Sequence, residues 1–165
     1  MRILGIDPGL TKTGWGLISS VNNNISFIAS GTIYTNPKEQ IHQRIHYLHT
    51  NIMEVIFQYN PKQAAIEETF INTNPLSSLK LGHARGAIML SLALNKDLEI
   101  FEYSTTAVKK AVVGVGRADK NQVGAMIKYL LPKSIVKTED ESDALAVAIC
   151  HCNHSNFYLL KARGK

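Results

Sequence analysis

Residues 2–34 decide the fold of this chain, and they read RILGIDPGLTKTGWGLISSVNNNISFIASGTIY. Apolar and β-branched residues dominate three segments of it, which are predicted to be strands at 2–7, 14–20 and 26–34. Gly14 and the polar run 22–24 are turn signals between them. Because the connections are short, the three strands are predicted to form an antiparallel meander.

The pattern then changes to helices that alternate with strands. A helical stripe of three- and four-residue steps is formed by Ile41, Ile45, Leu48, Ile52, Ile56 and Tyr59. Strands are predicted at 63–67 and 98–103, and helices from 75 to about 95, from 105, from 119 to 131 and from 138 to about 152. Capping-box spacing marks the starts of the last two helices. This order predicts an α/β fold with a five-stranded mixed β-sheet flanked by α-helices.

Length and charge limit the class of protein. At 165 residues with no internal linker, the chain is predicted to be one domain over 1–157, followed by a basic tail over 158–165. Its net charge is +5, and the window 104–137 holds seven basic residues and one acidic residue. Those basic residues are Lys109, Lys110, Arg117, Lys120, Lys128, Lys133 and Lys137. Such a basic surface favours a polyanionic partner.

No secretory or membrane-spanning pattern is visible, so a cytoplasmic protein without a membrane partner is expected. Cys150 and Cys152, with His151 and His154, form a cluster whose spacing fits no common zinc site. We interpret Cys150 as part of the core rather than as a metal ligand.

Four carboxylates lie where apolar elements end or begin. Asp7 closes the first strand, Glu67 closes the fourth, and Asp140 and Asp143 are three residues apart at the head of the last helix. Functional groups of open α/β sheets gather at the carboxyl ends of strands and near helix starts. Oxygen ligands suit hard divalent cations such as Mg²⁺. In a basic protein, this pattern favours a metal-dependent phosphodiesterase.

Each acidic residue also has a plainer interpretation. Asp7 could be a turn residue, and strand side chains alternate, so at most one of Glu67 and Glu68 can enter a site. Helix-dipole compensation explains Glu139 and Glu141. It explains Asp143 less well, because that residue heads a small, apolar run.

Two further residues are candidates for contact with nucleic acid. Lys120 falls in the first turn of a helix, where backbone amides and the dipole favour a phosphate. Phe70 follows Glu67 on a predicted loop and is either a base-stacking aromatic or a core residue.

The chain resembles the RuvC family of Holliday-junction resolvases, within the ribonuclease H-like superfamily, in six segments that occur in the family's order. They are GIDPGLTKTGWG, AIEETF, KLGHARG, FEY, VKKAVVGVGRADK and DESDALAVAICH. The resemblance implies a ribonuclease H-like fold and nicking of two strands of a four-way DNA junction, in homologous recombination and DNA repair. It implies a homodimer that cooperates with a RuvA–RuvB branch-migration complex.

The same resemblance assigns residues. It implies Asp7, Glu67, Asp140 and Asp143 as catalytic carboxylates that hold two Mg²⁺ ions, for which Mn²⁺ can substitute, and it selects Glu67 over Glu68. It implies that Lys109 and Lys120 assist at the phosphate. Together with the basic window, it gives this set of expected DNA-binding residues: Phe70, Lys109, Lys110, Arg117 and Lys120.

Two other classes remain open at this stage, as does the role of the helix from Pro75. The Asp7–Gly9 turn also suits actin-like ATPases and sugar kinases, although those folds need two domains. A junction-binding module without catalysis is the second alternative. The helix is apolar over more than one stripe, with Gly82 and Gly86 four residues apart. It therefore predicts either a dimer interface or a central helix covered on both sides.

Overall fold

A computed structural model of the chain describes residues 1–22, 24–68 and 74–163, with side chains up to Ser155. The strands are β1 (Arg2–Asp7), β2 (Lys12–Val21), β3 (Asn24–Tyr34), β4 (Gln63–Glu67) and β5 (Glu99–Tyr103). The helices are α1 (Ile41–Tyr59), α2 (Pro75–Ala93), α3 (Thr105–Val113), α4 (Lys120–Leu130) and α5 (Glu139–Arg163). The predicted order of elements is confirmed.

The five strands form one mixed sheet in the order β3-β2-β1-β4-β5. β1, β2 and β3 are antiparallel neighbours, which confirms the meander. β4 and β5 run parallel to β1. The carboxyl ends of β1, β4 and β5 therefore lie along one edge of the sheet.

Helices cover both faces of the sheet, because alternate strand residues point to opposite sides. One core cluster joins Leu4 and Ile6 of β1 to α1 and α2. The other joins Ile3 of β1 and Ala65 of β4 to α3, α4 and α5. Asp7 continues the alternation of Ile3, so its side chain belongs to the α5 face.

Close packing of α5 on β1 explains the small residues at its start. A Cβ added to Gly5 would lie 2.1 Å from the carbonyl oxygen of Ala144 and 2.9 Å from the Cβ of Ala148. The helix backbone thus rests directly on the strand, which only small residues allow. This contact fixes the distance of the helix start from the end of β1.

Several boundaries differ from those expected. β2 and β3 are longer than predicted, and their pairing shifts register between Leu17 and Ile18. α5 continues to Arg163 rather than ending near Cys152, so the expected boundary between residues 157 and 158 falls inside this helix. The capping box of Asp119 and Gln122 is confirmed at the start of α4.

Cys150 is fully buried, which confirms its place in the core, and burial raises the pKa of its thiol to about 12. Among the described residues, no helix is long and apolar enough to cross a membrane.

Candidate active site

The first two carboxylates lie side by side at the ends of neighbouring strands. Ile6 of β1 lies opposite Ile66 of β4 in a parallel pair, so the next residues are Asp7 and Glu67. Both continue the alternation that faces α5. Glu68 follows on the opposite side of the chain and is exposed. The register therefore explains why Glu67, and not Glu68, faces Asp7.

The start of α5 brings Asp140 and Asp143 to the same edge. Gly14 of β2 lies opposite Asp7, and a Cβ on Gly14 would lie 2.0 Å from the carbonyl oxygen of Asp140. Because Gly14 has no side chain, the first turn of α5 packs directly above the end of β1. Asp143 is one turn further along the same face of the helix.

Burial and the charges of neighbouring carboxylates disturb the ionisation of Asp7 and Asp143. Burial raises the pKa of Asp7 to about 8, with further increases from the charges of Glu67, Asp143 and Asp140. Burial also raises the pKa of Asp143, against a smaller opposite effect of Lys120. Four like charges at a partly buried edge lack enough positive charge to balance them.

A cavity of about 280 Å³ opens beside the carboxylates. Asp7, Glu67 and Asp143 line it together with Lys109 of α3 and Lys120 of α4. Lys120 Nζ lies 3.2 Å from Glu139 Oε2 and 3.7 Å from Asp143 Oδ2. The hydrogen bond from Lys120 to Glu139 is the main cause of the raised pKa of this lysine. Both lysines expected near a phosphate thus lie at the carboxylate cluster.

Thr105 is a site residue that the sequence analysis missed. Its Oγ1 donates a hydrogen bond to Glu67 Oε1, which fixes the orientation of that carboxylate. Thr105 is the first residue of α3 and follows β5 after one intervening residue, and the carboxyl end of β5 lies beside that of β4. A hydroxyl two positions after the next parallel strand was the available signal.

Glu141, which the sequence analysis explained by helix-dipole compensation alone, also makes specific contacts in the structure. Only 4% of this residue is exposed, and Ser30 Oγ of β3 donates to its Oε2 at 2.6 Å. The Thr138 hydroxyl lies 3.4 Å from Glu141 Oε1 and accepts a hydrogen bond from the backbone N–H of Glu141 at 3.2 Å. Thr138 also bonds Thr32 of β3 at 2.7 Å. Glu141 therefore links the start of α5 to β3, at a position that lies between Asp140 and Asp143 in the sequence.

The remaining candidates lie outside the cavity. Lys110 and Arg117 are exposed on α3 and on the segment before α4, and neither lines the cavity. Phe70 lies outside the described residues.

A second polar cluster lies further along α5, against β4 and β5. Tyr103 Oη and His151 Nδ1 are 2.8 Å apart, and His151 Nε2 lies 2.9 Å from Gln63 Oε1. Gln63 Nε2 in turn donates to Glu99 Oε2 at 2.8 Å. Burial lowers the pKa of His151 to about 4, so its ring is neutral and both nitrogens are bonded.

The donor set at the carboxylate cluster fits hard divalent cations. It offers carboxylate oxygens alone, and burial together with the neighbouring negative charges raises the pKa of Asp7, an effect that a bound cation would oppose. Within the part of the chain that the structure describes, no three Asp, Glu, His or Cys side chains close a metal cage by themselves. Mg²⁺ rarely uses such cages and takes remaining ligands from water and substrate phosphates. A carboxylate cluster that is open on one side is consistent with this mode of Mg²⁺ binding.

Comparisons with known proteins agree on one family. The family described as crossover junction endodeoxyribonuclease RuvC matches residues 3–151. A crossover junction endodeoxyribonuclease RuvC of Paramagnetospirillum magneticum is 51% identical over 93% of this chain and 92% of the relative. RuvC of Thermus thermophilus, solved in complex with a Holliday junction substrate, is 28% identical with a TM-score of 0.87 over 95% of this chain and 96% of that one.

A yeast mitochondrial Holliday junction resolvase is only 12% identical, with a TM-score of 0.67 over 91% of this chain and 77% of that one. At this identity, the likeness concerns the ribonuclease H-like fold alone. The match of the family over residues 3–151 and the closeness of the Paramagnetospirillum relative lead to one conclusion: the chain belongs to the RuvC family of crossover junction endodeoxyribonucleases.

Proposed function

We propose that this protein is a divalent-metal-dependent endodeoxyribonuclease that resolves four-way DNA junctions by paired, symmetric nicks. The observation that carries the proposal is the carboxylate cluster of Asp7, Glu67 and Asp143, which lines one cavity with Lys109 and Lys120. Acidic groups for cations and basic groups for a phosphate thus meet at one place.

Asp7, Glu67, Asp140 and Asp143 would hold two Mg²⁺ ions, and Mn²⁺ would substitute for them. Bound divalent cations activate water near neutral pH and stabilise charge on the leaving 3′ oxygen. The residues of the chain position those ligands: Thr105 orients Glu67 by a hydrogen bond, and Gly14 lets Asp140 approach β1. The products would carry a 5′-phosphate and a 3′-hydroxyl.

Lys109 and Lys120 would act on the reacting phosphate. Lys120 lies within 4 Å of carboxylates on α5, which hold its ammonium at the edge of the cavity. Lys110, Arg117 and Phe70 are proposed to bind DNA further from the chemistry. Charge alone supports this role for Lys110 and Arg117, which are exposed.

A homodimer would supply one active site for each of the two strands that are cut. α2 buries Ala84, Ile88 and Leu92 within the subunit and leaves Leu79 and Leu90 exposed on its outer side, and Leu94, just after its end, is exposed as well. No atom lies within 4 Å of a Cβ built on Gly86. A second helix could therefore approach this face closely, and sedimentation of the full chain at micromolar concentration measures the resulting mass.

Junction resolution places the protein in homologous recombination and DNA repair in the cytoplasm. Cooperation with a RuvA–RuvB branch-migration complex is proposed from the family resemblance. Kinase and ATPase functions are disfavoured because the described chain forms one sheet rather than two duplicated domains.

The decisive experiment compares cleavage of a mobile four-way junction with cleavage of a linear duplex of the same sequence. Paired nicks in the junction are expected with Mg²⁺ or Mn²⁺ and none with chelator. Binding without cleavage under all metal conditions would instead favour a junction-binding module. Cleavage without any divalent cation would contradict the metal assignment.

A further inference from the structure

A second groove adjoins the candidate active site. It lies between α4 and the segment 136–139 that leads into α5, and its volume is about 410 Å³. Lys120 and Asp143 line both this groove and the catalytic cavity, so the two spaces adjoin at this pair of side chains. A polymer bound at the cavity therefore lies next to the groove.

Two lysines in the groove have no ionic partner. Lys120 is engaged by Glu139 and Asp143, which also line the groove. Lys128 and Lys137 are exposed and, in the part of the chain that the structure describes, form no ion pair. Their positive charge is thus available to a ligand.

The shape and chemistry of the groove point to a sugar–phosphate backbone rather than to bases. Gly124 and Ala125 line it without large side chains, and no atom lies within 4 Å of a Cβ built on Gly124. Asn121 and Ser142 add polar groups that can donate to phosphate oxygens. The described residues around the groove include no aromatic ring on which a base could stack.

We propose that this groove binds the phosphates of the DNA strand next to the scissile bond, with Lys128 and Lys137 as its ligands. The proposal rests on the endonuclease function proposed above and extends its substrate contacts beyond the cavity. Eight residues of α4 separate Lys120 from Lys128, which is a rise of about 12 Å. At about 3.4 Å per nucleotide, Lys128 reaches a phosphate about two to four positions from the cut.

The binding part of the test uses Asp7→Asn as a background in which the junction stays uncut. Lys128→Ala and Lys137→Ala are each expected to lower the slope of log affinity against log salt by about one unit, and the double variant by about two. Lys62→Ala is the matched control, because Lys62 is exposed before β4 at the opposite edge of the sheet. Its slope is expected to equal that of the background.

A scan with single neutral methylphosphonates then locates the phosphates on either side of the cut. A substitution two to four positions away is expected to weaken binding by the background protein. The same substitution is expected to have no further effect on Lys128→Ala, because the contact is already lost. Additive losses at every position would overturn the assignment of Lys128, even where the salt slope falls.

Failure of this proposal is distinguishable from failure of the proposed function. The groove proposal alone is overturned if the wild-type protein nicks junctions and the Lys128 and Lys137 variants have the same salt slope as Lys62→Ala. A protein that never cuts DNA, but whose Lys128 and Lys137 variants lose the expected slope, supports the groove as a phosphate site and overturns the nuclease function.

Discussion

Two polar clusters along α5, one at its start and one near its middle, differ in how completely their hydrogen bonds and charges are satisfied. Near Cys150, both ring nitrogens of His151 are bonded, to Tyr103 and Gln63. At the start of the helix, like charges meet, and burial and repulsion raise the pKa of Asp7 to about 8. A polar cluster whose hydrogen bonds are formed within the protein stabilises the fold. A cluster of like charges without an opposite charge requires a ligand that balances it.

The largest expected effect is on catalysis at the unbalanced cluster. Asp143→Asn is expected to cut junctions at least about a hundredfold more slowly in Mg²⁺, which corresponds to about 2.7 kcal/mol of barrier, because the amide keeps the shape but not the charge. Junction affinity is expected to stay within a few-fold of wild type. Cleavage and binding assays on the same preparation measure both quantities.

Glu68→Gln is the matched control for that variant, since Glu68 directly follows β4 but is exposed beside Glu67 rather than aligned with it. Its cleavage rate is expected to match wild type. Near-normal cleavage by Asp143→Asn would contradict the assignment of these carboxylates as the catalytic site.

A substitution in the cluster around His151 is expected to change the stability of the protein rather than its catalysis. His151→Ala removes a buried ring and its bonds to Tyr103 and Gln63, which is expected to lower the free energy of unfolding by about 2–3 kcal/mol. The cleavage rate per folded molecule is expected to remain that of wild type. Urea denaturation measures the first quantity, and cleavage well below the unfolding midpoint measures the second.

Asn153→Ala on the same helix is the control, because Asn153 is exposed and its side-chain amide donates a hydrogen bond to the carbonyl of Ala111. It is expected to lose about 0.5 kcal/mol. A rate that falls with His151→Ala while the chain stays folded would show that the two clusters are coupled.

The smallest expected effect concerns pH and the metal-free protein. The folded pKa of Asp7 is raised to about 8 from 3.8, so the native state binds more protons than the unfolded state between these values. The free energy of unfolding therefore falls as pH rises through this range. Asp7→Asn is expected to remove that loss and to be more stable than wild type by about 1–2 kcal/mol at pH 8, but not at pH 4.

Thermal unfolding in chelator at the two pH values tests this prediction. Added Mg²⁺ is expected to raise the melting temperature of wild type more than that of Asp7→Asn, since the ion replaces the missing positive charge. Equal stability of the two proteins at both pH values would mean that neither burial nor the neighbouring charges destabilise the ionised form of Asp7.

Local sequence rules predicted much of this fold and site because the relevant signals are themselves local. The run from Arg2 to Ile6 predicted a strand that ends at Asp7, and Asp119 with Gln122 marked the start of α4. Glu141 could not be assigned in this way, because helix rules do not tell which face packs against β3. Its partner Ser30 is 111 residues away in sequence. Thr105 was missed for the same reason, as its role depends on the order of β4 and β5.

The contact between Gly14 and Asp140 also bears on how the protein is made. The carboxylate cluster combines side chains from β1 and β4 with others from the last helix, so its assembly requires contacts across most of the chain. A chain still on the ribosome has already made β1 and β4 but lacks α5 and cannot complete the cluster. The nascent polypeptide therefore carries no assembled carboxylate site until α5 has been synthesised.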